Sequence, residues 1–500
     1  MKNRIKQYLL AASMCVGLTA CSDFFEPIPG VQFGLDETFA SKQRTEEYLN
    51  NVYSYVREVT DAIHPNTYGG IFTEASLDGA NRWNKTYAEW TNGSFNSASA
   101  QASEYFSKYY QAIAKASTFI QNVDKCTEAA ASTRGKWKSE ARALRAYYYF
   151  ELLRLYGPIP LIGEDPIPLD ASLEELIKER NSVDECVNFI ATELQSAIDS
   201  GDLLQRAGKA NLGRMDVATC MALKAKLYLY WASPLFNGNT DQASVKNKDG
   251  KQLFPQTEDN SKWTQARDAY ERFMTFATGQ GYKLTEVYTN GKLDPYASCR
   301  AAGEFFTTTW EAVDELIFVK LRDLYDYTYW VCPKFTDFQD TDVTGGGGYY
   351  TTQETVDLFF TKDGLTIEED PGYDKFEGIP SANNFTSGRY YDPNNPSRLY
   401  FDADKSKVLK QWKDREPRFY VNITYSGSIW LNEGKYNEEM RTDFTNGANG
   451  TCGKSKASGD CPDSGYLIRR GAKASNNNGS KHFSPVLRLA DMYLGYAEAL

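Results

Sequence analysis

Through the first 280 residues, apolar positions recur three and four apart, which predicts a succession of amphipathic helices. The densest case is Glu140–Ile162, EARALRAYYYFELLRLYGPIPLI. One stripe comprises Trp137, Ala141, Leu144, Tyr148, Leu152 and Leu155, and a second, Ala143, Ala146, Tyr147 and Phe150, lies beside it. That apolar face is too wide for a helix with one neighbour, so a two-sided packing helix is expected. Arg142, Arg145, Glu151 and Arg154 are left for the remaining face. Gly157 followed by Pro158 is a stop signal, because glycine tolerates the left-handed C′ conformation and proline cannot continue the helix.

The same spacing predicts helices over Lys42–Val59 and Ser99–Val123, paired as a hairpin, with a loop-like stretch from Ile63 to Phe95 between them. Ser182 and Glu185 form a capping box ahead of a helix over Val183–Asp199. Further helices are expected over Met215–Ala232, stopping at Pro234, and over Lys262–Thr278. Small residues alternating with aromatics suit stacked helical hairpins, although no clean repeat period is visible. After Tyr282 glycine, asparagine and aspartate become common, loops lengthen, and short strand-like runs appear, such as Glu315–Val319. The expected fold class is mostly α: a tetratricopeptide-like helical hairpin scaffold with an irregular, loop-rich α+β second half. The expected division is 1–20, 21–280 and 281–500.

The first twenty residues read as an address. Lys2, Arg4 and Lys6 precede an apolar run, Tyr8 to Gly17, too short to span a bilayer as a mature helix. Leu18-Thr19-Ala20-Cys21 then forms a lipobox, in which the Cys21 thiol takes the lipid. Each buried acyl methylene adds about 0.8 kcal/mol, so several chains hold a protein firmly. Of the nine cysteines, Cys15 leaves with the signal and Cys21 is lipidated, which leaves an odd number. Cys220 reads as a small buried hydrophobe, and Cys452 and Cys461 flank a loop across which they can pair.

The segment EARALRAYYYFELLRLYGPIPLI resembles the central signature of the SusD/RagB family, outer-membrane nutrient-binding lipoproteins. So do GRMDVATCMALKAKLYLYWAS, QETVDLFFTKDGLTI (Gln353 to Ile367), DREPRFYVNITY (Asp414 to Tyr425) and PVLRLADMYLGYAEAL (Pro485 to Leu500). Ser22, Asp23 and Glu26 resemble the acidic stretch that accompanies surface display in that family. The last of these segments is expected to be a helix that keeps its period to Leu500, so the natural chain is expected to continue. The resemblance implies lipid anchoring through Cys21 at the outer membrane, facing outward, and capture of a glycan without catalysis. It also implies a partner, a SusC-like TonB-dependent transporter on which the protein sits as a lid. Peptide capture, as in RagB-like members, is the alternative within the family, and a surface glycosidase is the alternative from another class.

Composition narrows the chemistry. A net charge of −11 excludes nucleic acid as partner, since that needs a basic stripe. Only His64 and His482 are present, which thins out histidine-based catalysis and most zinc sites. Gly453-Lys454-Ser455 imitates the end of a phosphate loop, but Ala448 stands at the earlier glycine position. Asp337, Asp340 and Asp342 precede Gly345–Gly348 and admit calcium, yet no bidentate glutamate follows, so a solvated loop is the favoured reading and no cofactor is expected. Glycoside hydrolysis needs two carboxylates across a scissile bond, and nothing singles out a pair among 66 acidic residues.

Aromatics make up 14% of the chain, enough to fill a core and leave exposed rings for flat sugar faces. Two loop regions place rings beside hydrogen-bonding side chains. The first holds Asp78, Asn81, Arg82 and Trp83, with Trp90 beyond. The second holds Arg322, Tyr327, Tyr329 and Trp330. Trp83 and Trp330 are the leading candidates. For any single ring, packing beneath its own loop is at least as good an account as ligand contact.

Overall fold

The computed structural model describes residues 34–57, 63–64, 67–68, 76, 79–81, 89, 93–165, 167–168, 171–303, 314–322, 329–335, 345–375, 378–430, 441–445, 452–453, 459–472 and 482–500. Helices α1 (Leu35–Ala40) and α2 (Lys42–Ser54) open it. Helix α2 stops short of Val59: the Tyr55 N–H turns to the Val52 carbonyl at 3.3 Å, a tightened last turn. The stretch expected to be loop-like contains three short strands, β1 (Ile63–His64), β2 (Thr67–Tyr68) and β3 (Ala80–Asn81). Helices α3 (Ala100–Asn122) and α4 (Ala131–Tyr156) follow. At the end of α4, Gly157 has φ +68° and its N–H reaches the Leu153 carbonyl at 3.0 Å. A Cβ there would also lie 2.9 Å from the Phe254 ring, so glycine is required twice over.

After a single turn, α5 (Leu173–Leu176), helix α6 runs over Val183–Asp199, the bounds expected from its capping box. The Ser182 N–H donates to Glu185 Oε2 at 2.7 Å, and the Glu185 N–H returns to Ser182 Oγ at 3.3 Å. Helix α7 (Val217–Ala232) starts where the buried Asp216 carboxylate accepts the Thr219 N–H at 2.7 Å, and α8 is Ser261–Gly279. Each helix packs on the next: α3 on α4, α4 on α6, α6 on α7 and α7 on α8. This is the paired-helix scaffold expected from the sequence, in which every layer buries its apolar faces against its neighbours.

The charged face of α4 differs from expectation. Arg145 is fully buried and Glu151 is 2% exposed, because this face is a third packing surface and not a solvated one. Arg145 donates through Nε at 2.8 Å and Nη2 at 2.5 Å to Glu193 Oε2 on α6, and through Nη1 at 3.1 Å to Ser117 Oγ on α3. Glu151 accepts from Arg154 at 2.8 Å and has Arg57 Nε at 3.3 Å. Burial would raise the Glu151 carboxyl, but Arg154 and Arg57 outweigh it and hold it below the usual carboxylate range. Glu140 accepts from Tyr53 OH at 3.0 Å and from Arg214 at 2.6 Å, tying α4 to α2 and to the approach of α7.

The second half begins with the β4 (Tyr288–Thr289) and β5 (Lys292–Leu293) hairpin, then α9 (Pro295–Gly303) and β6 (Leu316–Arg322). Strand β7 (Tyr349–Tyr350) leads into α10 (Gln353–Asp357) and the hairpin β8 (Arg389–Asp392) and β9 (Asn395–Asp402). Helix α11 (Pro417–Asn422), β10 (Ile423–Tyr425), β11 (Tyr466–Ile468), β12 (His482–Arg488) and α12 (Leu489–Ala499) complete the order. The segment Pro485–Leu500, expected to be helical throughout, is a strand up to Arg488. Its first residues instead extend β12, which pairs antiparallel with β6. Helix α12 then packs on α8, and Ile317, Phe318 and Met492 join the helical core.

A four-stranded antiparallel sheet, in the order β10-β11-β7-β3, joins the loop region before α3 to the second half. Cys220 is buried in α7 as expected, and Cys452 and Cys461 are also buried. Among the described residues no helix is long and apolar enough to cross a membrane.

The Arg145–Glu193 pair yields a stability prediction. Glu193→Ala strands a buried guanidinium and should cost about 3–5 kcal/mol in urea unfolding, whereas an Arg145→Met, Glu193→Leu double variant should recover most of that loss.

Candidate functional site

Of the candidate residues, Asp78, Arg82, Trp83, Trp90 and Tyr327 lie outside the described residues, as do Cys21, Asp337, Asp340 and Asp342. Asn81 and Arg322 are placed through their backbones: Asn81 is the second residue of β3 and pairs with Tyr349, while Arg322 closes β6 opposite His482. Tyr329 and Trp330 are described in full. They sit in a helical turn, half-buried, with ring centroids 4.9 Å apart and planes at 83°.

What holds that turn is the run of four glycines. The Gly345 N–H donates to the Pro333 carbonyl at 3.0 Å, Gly346 to Tyr329 at 2.8 Å, Gly347 to Cys332 at 2.9 Å and Gly348 to Trp330 at 3.2 Å. A Cβ on Gly346 would fall on the Trp330 ring, so the backbone approaches this closely only where there is no side chain. The next residue, Tyr349, is the one that pairs with Asn81. Strand β3 and the Tyr329–Trp330 turn therefore both lie against one short segment, residues 345–350. Sequence reasoning treated those glycines only as the end of an acidic loop, although four in succession already signal a close backbone approach.

Trp330 also packs on a small core that includes Val331, Phe335, Tyr349 and Trp430. Its ring is thus partly structural and partly open. Beside it, Lys334 Nζ and Asp460 Oδ2 form an ion pair of 2.5 Å.

Concavities elsewhere among the described residues include a pair of similar size. The larger, about 420 Å³, lies between α3 and the segment 160–178 and is lined by Phe106, Tyr110, Ile113, Ile162 and Leu176. Its aliphatic walls offer little to hydroxyl groups, and the Tyr110 hydroxyl is already donated to the Pro160 carbonyl at 2.7 Å. The other, about 360 Å³, opens beside β11 and has aromatic and amide walls, with Trp412, Tyr466, Gln353 and Gln411 among them. Sequence reasoning did not single out those four. Three of them lie in or next to segments quoted for their family resemblance, but nothing in the spacing marked them as cavity-lining.

Comparison with known proteins places the chain among relatives. Residues 315–500 match the model of the SusD family, and residues 32–229 match a second model, described as starch-binding and associating with the outer membrane. A SusD-like protein of Bacteroides ovatus is 27% identical over 175 residues, which is 34% of this chain and only 30% of the relative's own length. The solved structure named BT4246 superposes with a TM-score of 0.70 at 24% identity, covering 92% of this chain and 78% of its own. A SusD-like carbohydrate-binding protein from Bacteroides fragilis superposes with a TM-score of 0.59 at 18% identity, covering 93% and 74%. At such identities the likeness establishes the fold.

The glycine cradle can be tested directly. Gly346→Ala should displace Trp330 and lower stability by about 1–3 kcal/mol, with loss of near-ultraviolet circular dichroism. Gly279→Ala, where a new methyl meets nothing within 4 Å, should stay within about 0.5 kcal/mol of the parent.

Proposed function

The chain belongs to the SusD/RagB family, and from that premise we propose that it captures a nutrient glycan at the cell surface and passes it to a SusC-like TonB-dependent transporter in the outer membrane. The lipobox at Cys21 supports a lipid anchor, and Ser22, Asp23 and Glu26 support outward display. The match to a family model described as starch-binding, and the carbohydrate-binding relative from Bacteroides fragilis, support a saccharide as the cargo. The observation that carries the reading is that β3, which precedes Arg82 and Trp83 in sequence, and the Tyr329–Trp330 turn both abut residues 345–350.

In this reading Trp83 and Trp330 supply flat faces to sugar rings, with Trp90, Tyr327 and Tyr329 extending the surface. Asp78, Asn81, Arg82 and Arg322 take the hydroxyls. The open part of the Trp330 ring is the part available to a ligand. Binding is reversible and involves no covalent chemistry. Buried carboxylates such as Glu140, Glu151, Glu193 and Asp294 are each engaged by arginine, which suits them to holding the fold and not to attacking a glycosidic bond.

A polysaccharide array followed by calorimetry on the best glycan tests the proposal. The folded Trp83→Ala, Trp330→Ala double variant should bind about tenfold more weakly or worse, the loss expected for two stacking faces. Unchanged affinity would remove these loops from the site. Preference for peptides over every glycan, or release of shortened glycan from the purified protein, would replace the reading itself.

A further inference from the structure

The 360 Å³ cavity beside β11 is near the lower end of the roughly 300–1,000 Å³ typical of small-molecule sites. Its walls share no residue with the two candidate loops. Three rings frame it: Trp412, Tyr466 and Phe444. Trp412 and Tyr466 stand nearly perpendicular, with centroids 5.9 Å apart and planes at 81°. A relay fixes them, in which Trp412 Nε1–H donates to the Tyr466 hydroxyl at 3.0 Å and that hydroxyl donates to Gln353 Oε1 at 2.7 Å. Burial pushes the Tyr466 phenol up to about 12, so it stays neutral across the physiological range.

The polar side of the cavity is oriented from behind. Asp443 Oδ1 accepts the Thr445 hydroxyl at 2.6 Å and the Ser426 hydroxyl at 3.3 Å. With its proton turned toward Asp443, the Thr445 oxygen keeps lone-pair capacity for hydroxyl donors inside the cavity, whereas Ser426 Oγ already accepts the Phe444 N–H at 3.2 Å. Gln411 is only 7% exposed and lines the same space, yet its carboxamide makes no hydrogen bond among the described residues. Its backbone carbonyl, by contrast, is engaged by the Tyr373 hydroxyl and by Arg415 Nη1. The amide is not among the buried unsatisfied groups, so solvent reaches it through the cavity, and it can donate to and accept from a ligand there.

No lysine, arginine, aspartate or glutamate is among the described lining residues. Aromatic walls with neutral donors and acceptors suit a neutral polyhydroxylated ring. We infer that this cavity is a second carbohydrate subsite, holding a single neutral sugar unit away from the aromatic loops, with Gln411 as its specificity-determining hydrogen-bonding residue. Only the source of that sugar, the captured glycan, rests on the glycan-capture reading. The ligand chemistry is read from the lining.

The test uses the full mature chain and the methyl glycosides of glucose, galactose, mannose and xylose, with saturation-transfer NMR and titration of tryptophan fluorescence. At least one glycoside should bind, and Gln411→Leu should weaken it about fivefold or more. Ser464→Phe, which fills the cavity from an exposed rim position, should abolish binding. No transfer from the wild-type protein to any of these glycosides would overturn the inference. So would full affinity in Gln411→Leu or Ser464→Phe. If polysaccharide binding fails while glycoside binding persists, the glycan-capture reading falls and this subsite stands.

Discussion

A guanidinium with no exposure to water must be paired, and Arg145 in α4 can be paired only if α3 and α6 are both in place. Ser117 from one side and Glu193 from the other close around it, so the order and register of three helices are set by one cation. Breaking such a pair costs more than the pair itself contributes, which makes misregistered packings unfavourable. Glu140 and Glu151 repeat the device along the same helix, reaching Tyr53, Arg214 and Arg57. Helix α4 is therefore surrounded on every side, and the layers through α8 stack outward from it.

The second half is built by different means. Its strands are short, and two aromatic cores, around Trp430 and around Tyr400 and Trp412, take the place of long helices. Two connections bind it to the scaffold. Strands β6 and β12 deliver Ile317, Phe318 and the start of α12 into the helical core, and β3 joins the edge of the four-stranded sheet. The aromatic turn at Tyr329 and Trp330 hangs between these connections, held by four successive glycine N–H groups. A rigid helical body thus carries a ring-bearing loop surface whose backbone is specified by contacts that only glycine permits.

Much of the scaffold was legible before any coordinates. The Ser182–Glu185 box set the start of α6, and Gly157-Pro158 set the end of α4, because capping and stop signals are local chemistry that tertiary packing rarely overrides. The burial of Arg145 and Glu151 was not legible, since a charged face looks solvated until the complementary Glu193 and Arg57 are brought to it across the fold. The strand at the start of Pro485–Leu500 was not legible, because β6, the partner that holds it extended, is brought to it only by the fold. The candidate loops were found from residue type alone, and the segment that unites Asn81 with Trp330 is nearly devoid of side-chain information. Gln411 was invisible for a deeper reason: what marks it is a missing hydrogen bond, and only a structure can show that.

Hydrogen exchange followed by mass spectrometry, with and without the glycan that binds best in the array, tests the central claim most directly. The account predicts slowed exchange at residues 78–90 and 322–350 on binding, while α4 exchanges equally slowly in both states. Unaltered exchange at those loops in a saturated complex, or a ligand effect carried mainly by α3 to α8, would contradict it.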